Sequence, residues 1–506
     1  MPRAGRRVAI VGGGLSGLAA AYEVTRAGGI ESDIEVALFE ASARLGGTVE
    51  TVRRDGFVIE CGPDSWVTEK PWARELAEEL GLGSEIIPSS DAERRTYLLV
   101  KHKLQPLPDG MRMMIPTILD ALADSPLFSP ETRLGYAAEP GRAEELKRAA
   151  LKDGEDEPVA SFVRRHFGDE VTERIARPLL AGVFGGSIDT LSVRAVMPAF
   201  VKVEREHGSL IAGLQLRAVA QDQSVFTTLA SGLGTLIDRI AAALPPHVIR
   251  LSREVTAVAQ EGEGWRVEAG GADFDGHFDE IIVATPAQVT GRLLAPLHAD
   301  FERLLAMETT SAIVVALAYS AQQASGMKIP RGFGYLAPPE TDSDAADEVG
   351  AKASSALHRE SDSDSERASG SCSTPESNSH RLLACTFVDQ KFPGRVPAGG
   401  KLLRAFFGGE AGAALMNKID AELVEIATPQ LTAALGPLPA ARFSVVRRWP
   451  HSLPQYAVGH LDRMAELFAR VKSFSGLHLA GNAYFGVGLP DMVRMGREAA
   501  RRIQHG

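Results

Sequence analysis

The sequence is poor in the residues that define several large protein classes. It contains only three cysteines, Cys61, Cys372 and Cys385, with no CxxC pair and no metal-ligand spacing. An odd, sparse set argues against a disulfide framework or a zinc site and suits a reducing compartment. No run approaches the ~18 to 20 uninterrupted apolar residues of a spanning helix. The basic start MPRAGRR leads into an apolar run broken at once by Gly12, Gly13 and Gly14, so it reads as a strand entering a turn, not as a signal peptide. Excess positive charge is also lacking. With 54 basic and 65 acidic residues the net charge is −11, which disfavours nucleic acid as a partner. The expected location is the cytoplasm, with peripheral contact at a membrane surface as the only alternative.

What is present is a long chain of ordinary globular composition. At 506 residues it exceeds what one hydrophobic core supports and should divide into two or three domains. Arg7–Val11 is a buried strand, residues 12–17 a glycine turn, Leu18–Arg26 a helix and Glu35–Glu40 a second strand. Two further strand-like runs, Glu280–Ala284 and Leu477–Ala480, also end in small or turn-forming residues, so one sheet assembled from distant segments is expected. Residues 91–216 are helix-rich in pattern. Between 302 and 446, alternating or β-branched runs such as Ala312–Ala318 and Arg381–Val388 predict a second sheet. Inside it, residues 338–380 are rich in Ser, Asp, Glu and Ala and carry no aromatic residue, the composition of a disordered insertion in a loop between two strands.

The chemistry is concentrated near both ends. Gly12-x-Gly14-x-x-Gly17 follows a strand and opens a helix, which is the context a dinucleotide fingerprint requires. Its glycines make the turn, admit a pyrophosphate to the backbone, and let helix pack on strand. The helix start, including Leu15 and Ser16, then faces the phosphates with unpaired N–H groups. Glu40, with Ala41 behind it, ends the second strand at the distance suited to ribose hydroxyls. Six residues on, Gly46-Gly47 beside Arg44 predicts a second clamp on the same pyrophosphate, as a permanently held flavin needs and an exchangeable nicotinamide does not. At the other end, Gly481, Gly486, Val487 and Gly488 precede Pro490 and a basic helix. A glycine-flanked helix N-terminus can set N–H groups against the flavin edge that gains negative charge on reduction.

The segments GGGLSGLAAA, EASARLGG, GPDS, VATPA, RRWPHSLPQYAVGH and LAGNAYFGVGLPD, with LPDG at 107–110 and CTFVDQKFPGR at 385–395, together resemble the oxygen-dependent protoporphyrinogen oxidases. These are the haem-pathway branch of the monoamine-oxidase-like flavoprotein superfamily. The likeness covers nearly the whole chain except 338–380. It implies an α/β fold: a Rossmann-like FAD-binding domain (1–66, 218–290, 445–506), a mixed-sheet substrate domain (67–90, 291–337, 381–444) and a helical, membrane-surface domain (91–217). It implies FAD as cofactor and a porphyrinogen losing six electrons and six protons to O2, with H2O2 as product. It also allows a homodimer.

By position, Gly12, Gly14, Gly17, Glu40, Arg44, Gly46 and Gly47 would hold the ADP half, and Val255 would offer its backbone to adenine. Gly62, Pro63, Asp64 and Ser65 would adjoin the cofactor, Trp449 would lie near the flavin, and Gly486 to Gly488 would meet its pyrophosphate and ring edge. No catalytic side chain is expected, because a meso CH2 flanked by electron-rich pyrroles can pass hydride to flavin N5 while the protein orients the macrocycle. Arg95 is the candidate cation for the substrate propionates.

The alternative substrate is coproporphyrinogen III. More distant alternatives are an amine oxidase or a carotenoid desaturase, although four tryptophans and seven tyrosines leave little for an aromatic cage. A flavin-binding scaffold without activity is the non-enzymatic reading.

Overall fold

A computed structural model describes residues 5–28, 34–90, 94–217, 224–270, 275–338 and 380–505. The disorder expected of the insertion, and Cys372 within it, fall on 339–379, outside the described residues.

The Arg6–Val11 strand is apolar from Val8 onward, and Val8, Ala9 and Ile10 are fully buried. Burial on both faces suits the middle of a parallel sheet. It lies at the centre of five parallel strands in the order 249–250, 34–39, 6–11, 280–283, 477–479. The first helix, Leu15–Gly28, packs along the C-terminal helix, Leu489–His505. Arg497 ties this pair to a third helix, Trp72–Glu79, by ion pairs of 2.8 Å to both Glu23 and Glu79.

The second sheet has seven strands in the order 443–454, 309–319, 401–408, 384–387, 334–336, 96–100, 103–106. All neighbours are antiparallel except 334–336 and 96–100. Its alternation is clear. Tyr97, Tyr335, Cys385, Phe387, Leu403 and Leu317 face a core shared with helix Asp420–Leu435. On the opposite face Thr96, Gly334, Thr386, Arg404 and Ala316 form one cross-strand row. Leu98 and Leu336, on that same face, meet the helical core built from residues 114–214.

Several sequence-based boundaries move. The first helix begins at Leu15, three residues early, because only Gly12 to Gly14 form the turn and Gly17 lies inside the helix. The 91–217 region is not purely helical: Thr96–Val100 and Lys103–Pro106 are strands of the seven-stranded sheet, their alternation hidden by the short hairpin turn between them. Residues 73–82 and 293–307, grouped by sequence with the substrate sheet, bury Leu76, Leu82, Phe301 and Leu304 in the core of the parallel sheet. The run Arg381–Val388 is a strand only over Ala384–Phe387 and turns into a short helix, Val388–Lys391. The 338–380 segment joins two neighbouring antiparallel strands, and Ala337 N–H donates to Leu383 O at 3.0 Å where they part. Among the described residues no helix is long and apolar enough to cross a membrane.

Candidate functional site

The glycine turn is built from close backbone approaches. Gly12 has φ +110°, and a side chain there would stand 2.6 Å from Ala284 O. A Cβ on Gly17 would stand 1.9 Å from Gly12 O, whereas one on Gly14 would meet nothing within 4 Å. Gly14 therefore faces open space. That space is a cavity of about 1390 Å3, open mouth included, whose lining includes Glu40, Val255, the glycine turn and Trp449.

Of the residues predicted from sequence, Gly12, Gly14, Leu15, Ser16, Glu40, Ala41, Gly46, Gly47, Val255, Trp449 and Gly481 line this cavity. The Glu40 carboxylate accepts from the N–H groups of Gly13 and Ser42, both at 2.8 Å, which holds it at the channel wall. The C-terminal helix also reaches the channel through Met492 in its first turn. Two helix N-termini thus flank one trough, the arrangement suited to a pyrophosphate.

The other predicted residues lie around the cavity. Gly17 is buried against the turn. Arg44 spends its guanidinium on the carbonyl oxygens of Leu45, Val49 and Gly47, so it braces the Gly46-Gly47 turn from outside. Gly486, Val487 and Gly488 sit one turn away, and the loop holding them is buttressed by the PQYxxGH segment. Gly486 N–H donates to the Tyr456 hydroxyl at 3.0 Å, and that hydroxyl donates to Asn482 O. His460 stacks on Tyr456 at 3.9 Å and donates from Nε2 to Tyr484 O at 2.7 Å. Burial pushes His460 down to about 4, so it is neutral and a reliable donor at neutral pH.

Gly62, Pro63, Asp64 and Ser65 line neither this cavity nor a second one, but their segment is bonded to Trp449 of the first and Lys391 of the second. Trp449 Nε1 donates to Cys61 O at 2.6 Å, and Arg404 Nη2 donates to Gly62 O at 2.6 Å. Asp64 accepts from Arg404 Nη1 at 3.0 Å and Lys391 Nζ at 2.9 Å. Burial opposes its ionisation, but Lys391 and Arg404 outweigh burial and hold its carboxyl well below the usual carboxylate range. Just behind, the fully buried Arg395 pairs with Glu60 at 2.8 Å and donates to Thr228 Oγ1 and Leu229 O. Burial pushes the neighbouring Cys61 thiol up to about 11, so it stays protonated.

The second cavity, about 460 Å3, opens on the face of the seven-stranded sheet that carries Thr96, Leu336 and Thr386, and Lys391 and Phe226 wall its other side. Arg95, the predicted cation, is exposed and lines neither cavity. Thr96 occupies the wall instead.

Sequence reasoning missed Arg253, His451 and Asn482 in the first cavity and Lys391, Arg395 and Arg404 around the second. His451 adopts φ +50°, uncommon for a residue with a side chain, and is held there by Ser311 Oγ and Thr309 Oγ1. The CTFVDQKFPGR block was the one available signal for Lys391 and Arg395, since a specific segment without assigned chemistry invites a structural role.

Comparison with known proteins agrees with this geometry. The family model described as flavin containing amine oxidoreductase matches residues 15–504. Coproporphyrinogen III oxidase of Bacillus subtilis (strain 168) is 30% identical over 505 residues, covering 98% of this chain and 97% of that one. Protoporphyrinogen oxidase of Bos taurus is 30% identical over 530 residues, covering 99% and 98%. A crystal structure from Exiguobacterium sp. 255-15 superposes with a TM-score of 0.81 at 30% identity, covering 99% of both chains. Wild-type putrescine oxidase shares the fold at a TM-score of 0.64 and 17% identity.

Proposed function

Because the chain belongs to the flavin-containing amine oxidoreductase family, we propose that it is an FAD-dependent porphyrinogen oxidase of haem biosynthesis, with O2 as acceptor and H2O2 as product. The observation that carries this reading is the near-complete coverage by porphyrinogen oxidases at about 30% identity. Sequence motifs alone put protoporphyrinogen IX first. The relatives favour coproporphyrinogen III, since those of B. subtilis, Staphylococcus aureus and Propionibacterium freudenreichii are coproporphyrinogen III oxidases.

The lining of the first cavity fits FAD in its donors. The ADP half would lie along Glu40, Val255 and the glycine turn, with its pyrophosphate between the two helix N-termini and its ring system toward Trp449. When bound, the flavin supplies the two-electron acceptor. The chain's own contribution is positioning. Arg404 and Trp449, both on the seven-stranded sheet, hold the carbonyl oxygens of Gly62 and Cys61 and so tie that segment to the sheet. Leu336 and Phe333 on the sheet side and Phe226 opposite offer apolar surface to a macrocycle. Among the described residues no paired acid and base lines this space, in keeping with a substrate whose own pyrroles release the protons.

Purified protein in air, given coproporphyrinogen III and protoporphyrinogen IX side by side, tests the reading through the growth of porphyrin fluorescence. Faster turnover of the first fixes the coproporphyrinogen branch, and faster turnover of the second the protoporphyrinogen branch. Silence with both from flavin-loaded protein refutes the function and leaves only the family.

A further inference from the structure

Among the described residues the Asp64 cluster holds an unbalanced charge. Asp64 accepts from two cations, Lys391 at 2.9 and 3.0 Å and Arg404 at 3.0 Å. Arg404 is committed: its side chain is 2% exposed and a second nitrogen is bound to Gly62 O. Lys391 is different. It lines the second cavity, and its Nζ lies 4.9 Å from the ring centre of Phe226, which also lines it. Among the described residues, the remaining walls of that cavity carry no charged residue. One carboxylate between two cations leaves a net positive charge, and among those residues only Lys391 presents it at the cavity.

We propose that Lys391 is a specificity-determining residue, an ammonium shared between Asp64 and a carboxylate of the bound macrocycle. The inference rests on the porphyrinogen reading and assigns to Lys391 the anion contact that sequence had given to Arg95. When a propionate enters, Lys391 turns part of its donor capacity from Asp64 to the substrate. Asp64 stays ionised because Arg404 still holds it. An ammonium has three donors on a rotatable stem, so it can serve both partners without moving the backbone. The arrangement also discriminates: an uncharged macrocycle leaves the Lys391–Asp64 pair undisturbed and gains nothing from it. Asp64 thereby sets the affinity by competing with the substrate for one cation.

The test measures binding by porphyrin fluorescence quenching, in one mild detergent, for coproporphyrin III and its tetramethyl ester, on the flavin-loaded protein. Lys391→Gln is expected to weaken the free acid by about tenfold or more, the usual scale for losing a charge-assisted hydrogen bond, and to leave the ester unchanged. Lys391→Arg should restore most of the acid's advantage, which separates charge from mere packing. Asp64→Asn should shift the acid-to-ester ratio the opposite way, toward the acid, because Lys391 loses its resident partner. Opposite signs at the two ends of one ion pair are not what a purely structural brace would give. If Lys391→Gln binds both ligands as wild type does, the assignment is wrong while the porphyrinogen reading stands. If wild-type protein binds neither porphyrin and oxidises no porphyrinogen, both fall.

Discussion

Gly14 in the turn and Gly17 in the helix that follows it should fail in different ways. A Cβ at Gly17 would lie 1.9 Å from Gly12 O, against the 3.4 Å at which ordinary contact begins, so helix and turn must part by about 1.5 Å. Overpacking of that kind costs about 1–3 kcal/mol, and here the obstacle is backbone, which places Gly17→Ala at the upper end. At Gly14 a side chain meets no protein atom within 4 Å and projects into the channel. Gly14→Leu should therefore leave the cofactor-free protein within about 0.5 kcal/mol of wild type. It should nonetheless strip the flavin, because the side chain fills the trough where a ligand must meet backbone. The assay pairs thermal melting of the cofactor-free proteins with the ratio of flavin to protein absorbance after reconstitution. Gly17→Ala should melt several degrees lower, and Gly14→Leu should melt normally yet stay colourless. A yellow, fully loaded Gly14→Leu protein would refute the placement of the cofactor.

Other consequences are equally direct. Arg395→Met leaves the buried Glu60 carboxylate without its cation and should destabilise the protein by about 3–5 kcal/mol, read from denaturant midpoints; near-normal stability would remove the clamp's importance. His460 is held neutral with its folded value near 4 against about 6.5 unfolded, so its contribution to stability is full above pH 6.5 and declines as pH falls toward 4, by about 3 kcal/mol in all. His460→Gln should flatten that acid limb in a series of melts against pH. His166 should behave oppositely. Burial disfavours its charged form, but Glu139 and Glu204 on either side win and raise its value, so its stabilisation is complete below about pH 6.5 and fades at higher pH. His166→Gln should be most damaging on the acid side. Finally, replacing residues 341–378 by a short Gly-Ser turn should leave flavin content, melting and turnover unchanged, since the strands it joins already pair with each other.

The first cavity was largely readable because each of its walls is a local backbone device: a glycine turn after a strand, a glycine pair, a glycine-flanked helix start. Such devices leave their mark in consecutive residues. The second cavity was not readable. Asp64 lies 327 positions from Lys391 and 340 from Arg404, and the two cations come together because the seven-stranded sheet sets Thr386 beside Arg404 in one register. Arg95 was misplaced for the same reason: one residue along a strand is the opposite side, and Thr96, not Arg95, turns to the cavity. Arg44 shows a third case. The residue is where the pattern put it, but its donors were claimed by nearby carbonyl oxygens, which compete with any phosphate without leaving a trace in spacing. The strands at 96–106 were lost inside a helix-rich stretch because they are short and draw their partner, 334–336, from far downstream.

The order of strands in the parallel sheet has a bearing on how the protein is made. The 6–11 strand is synthesised long before one of its two neighbours, residues 280–283, and the sheet is completed only by 477–479. At roughly 5–20 residues per second of synthesis, the apolar Val8–Val11 run and the helix behind it wait on the order of tens of seconds for the segments that bury them. During that wait the N-terminal unit has an open sheet edge and half a nucleotide site. Newly made chains should consequently depend on chaperones, and fragments ending before residue 477 should aggregate instead of folding into a smaller flavoprotein.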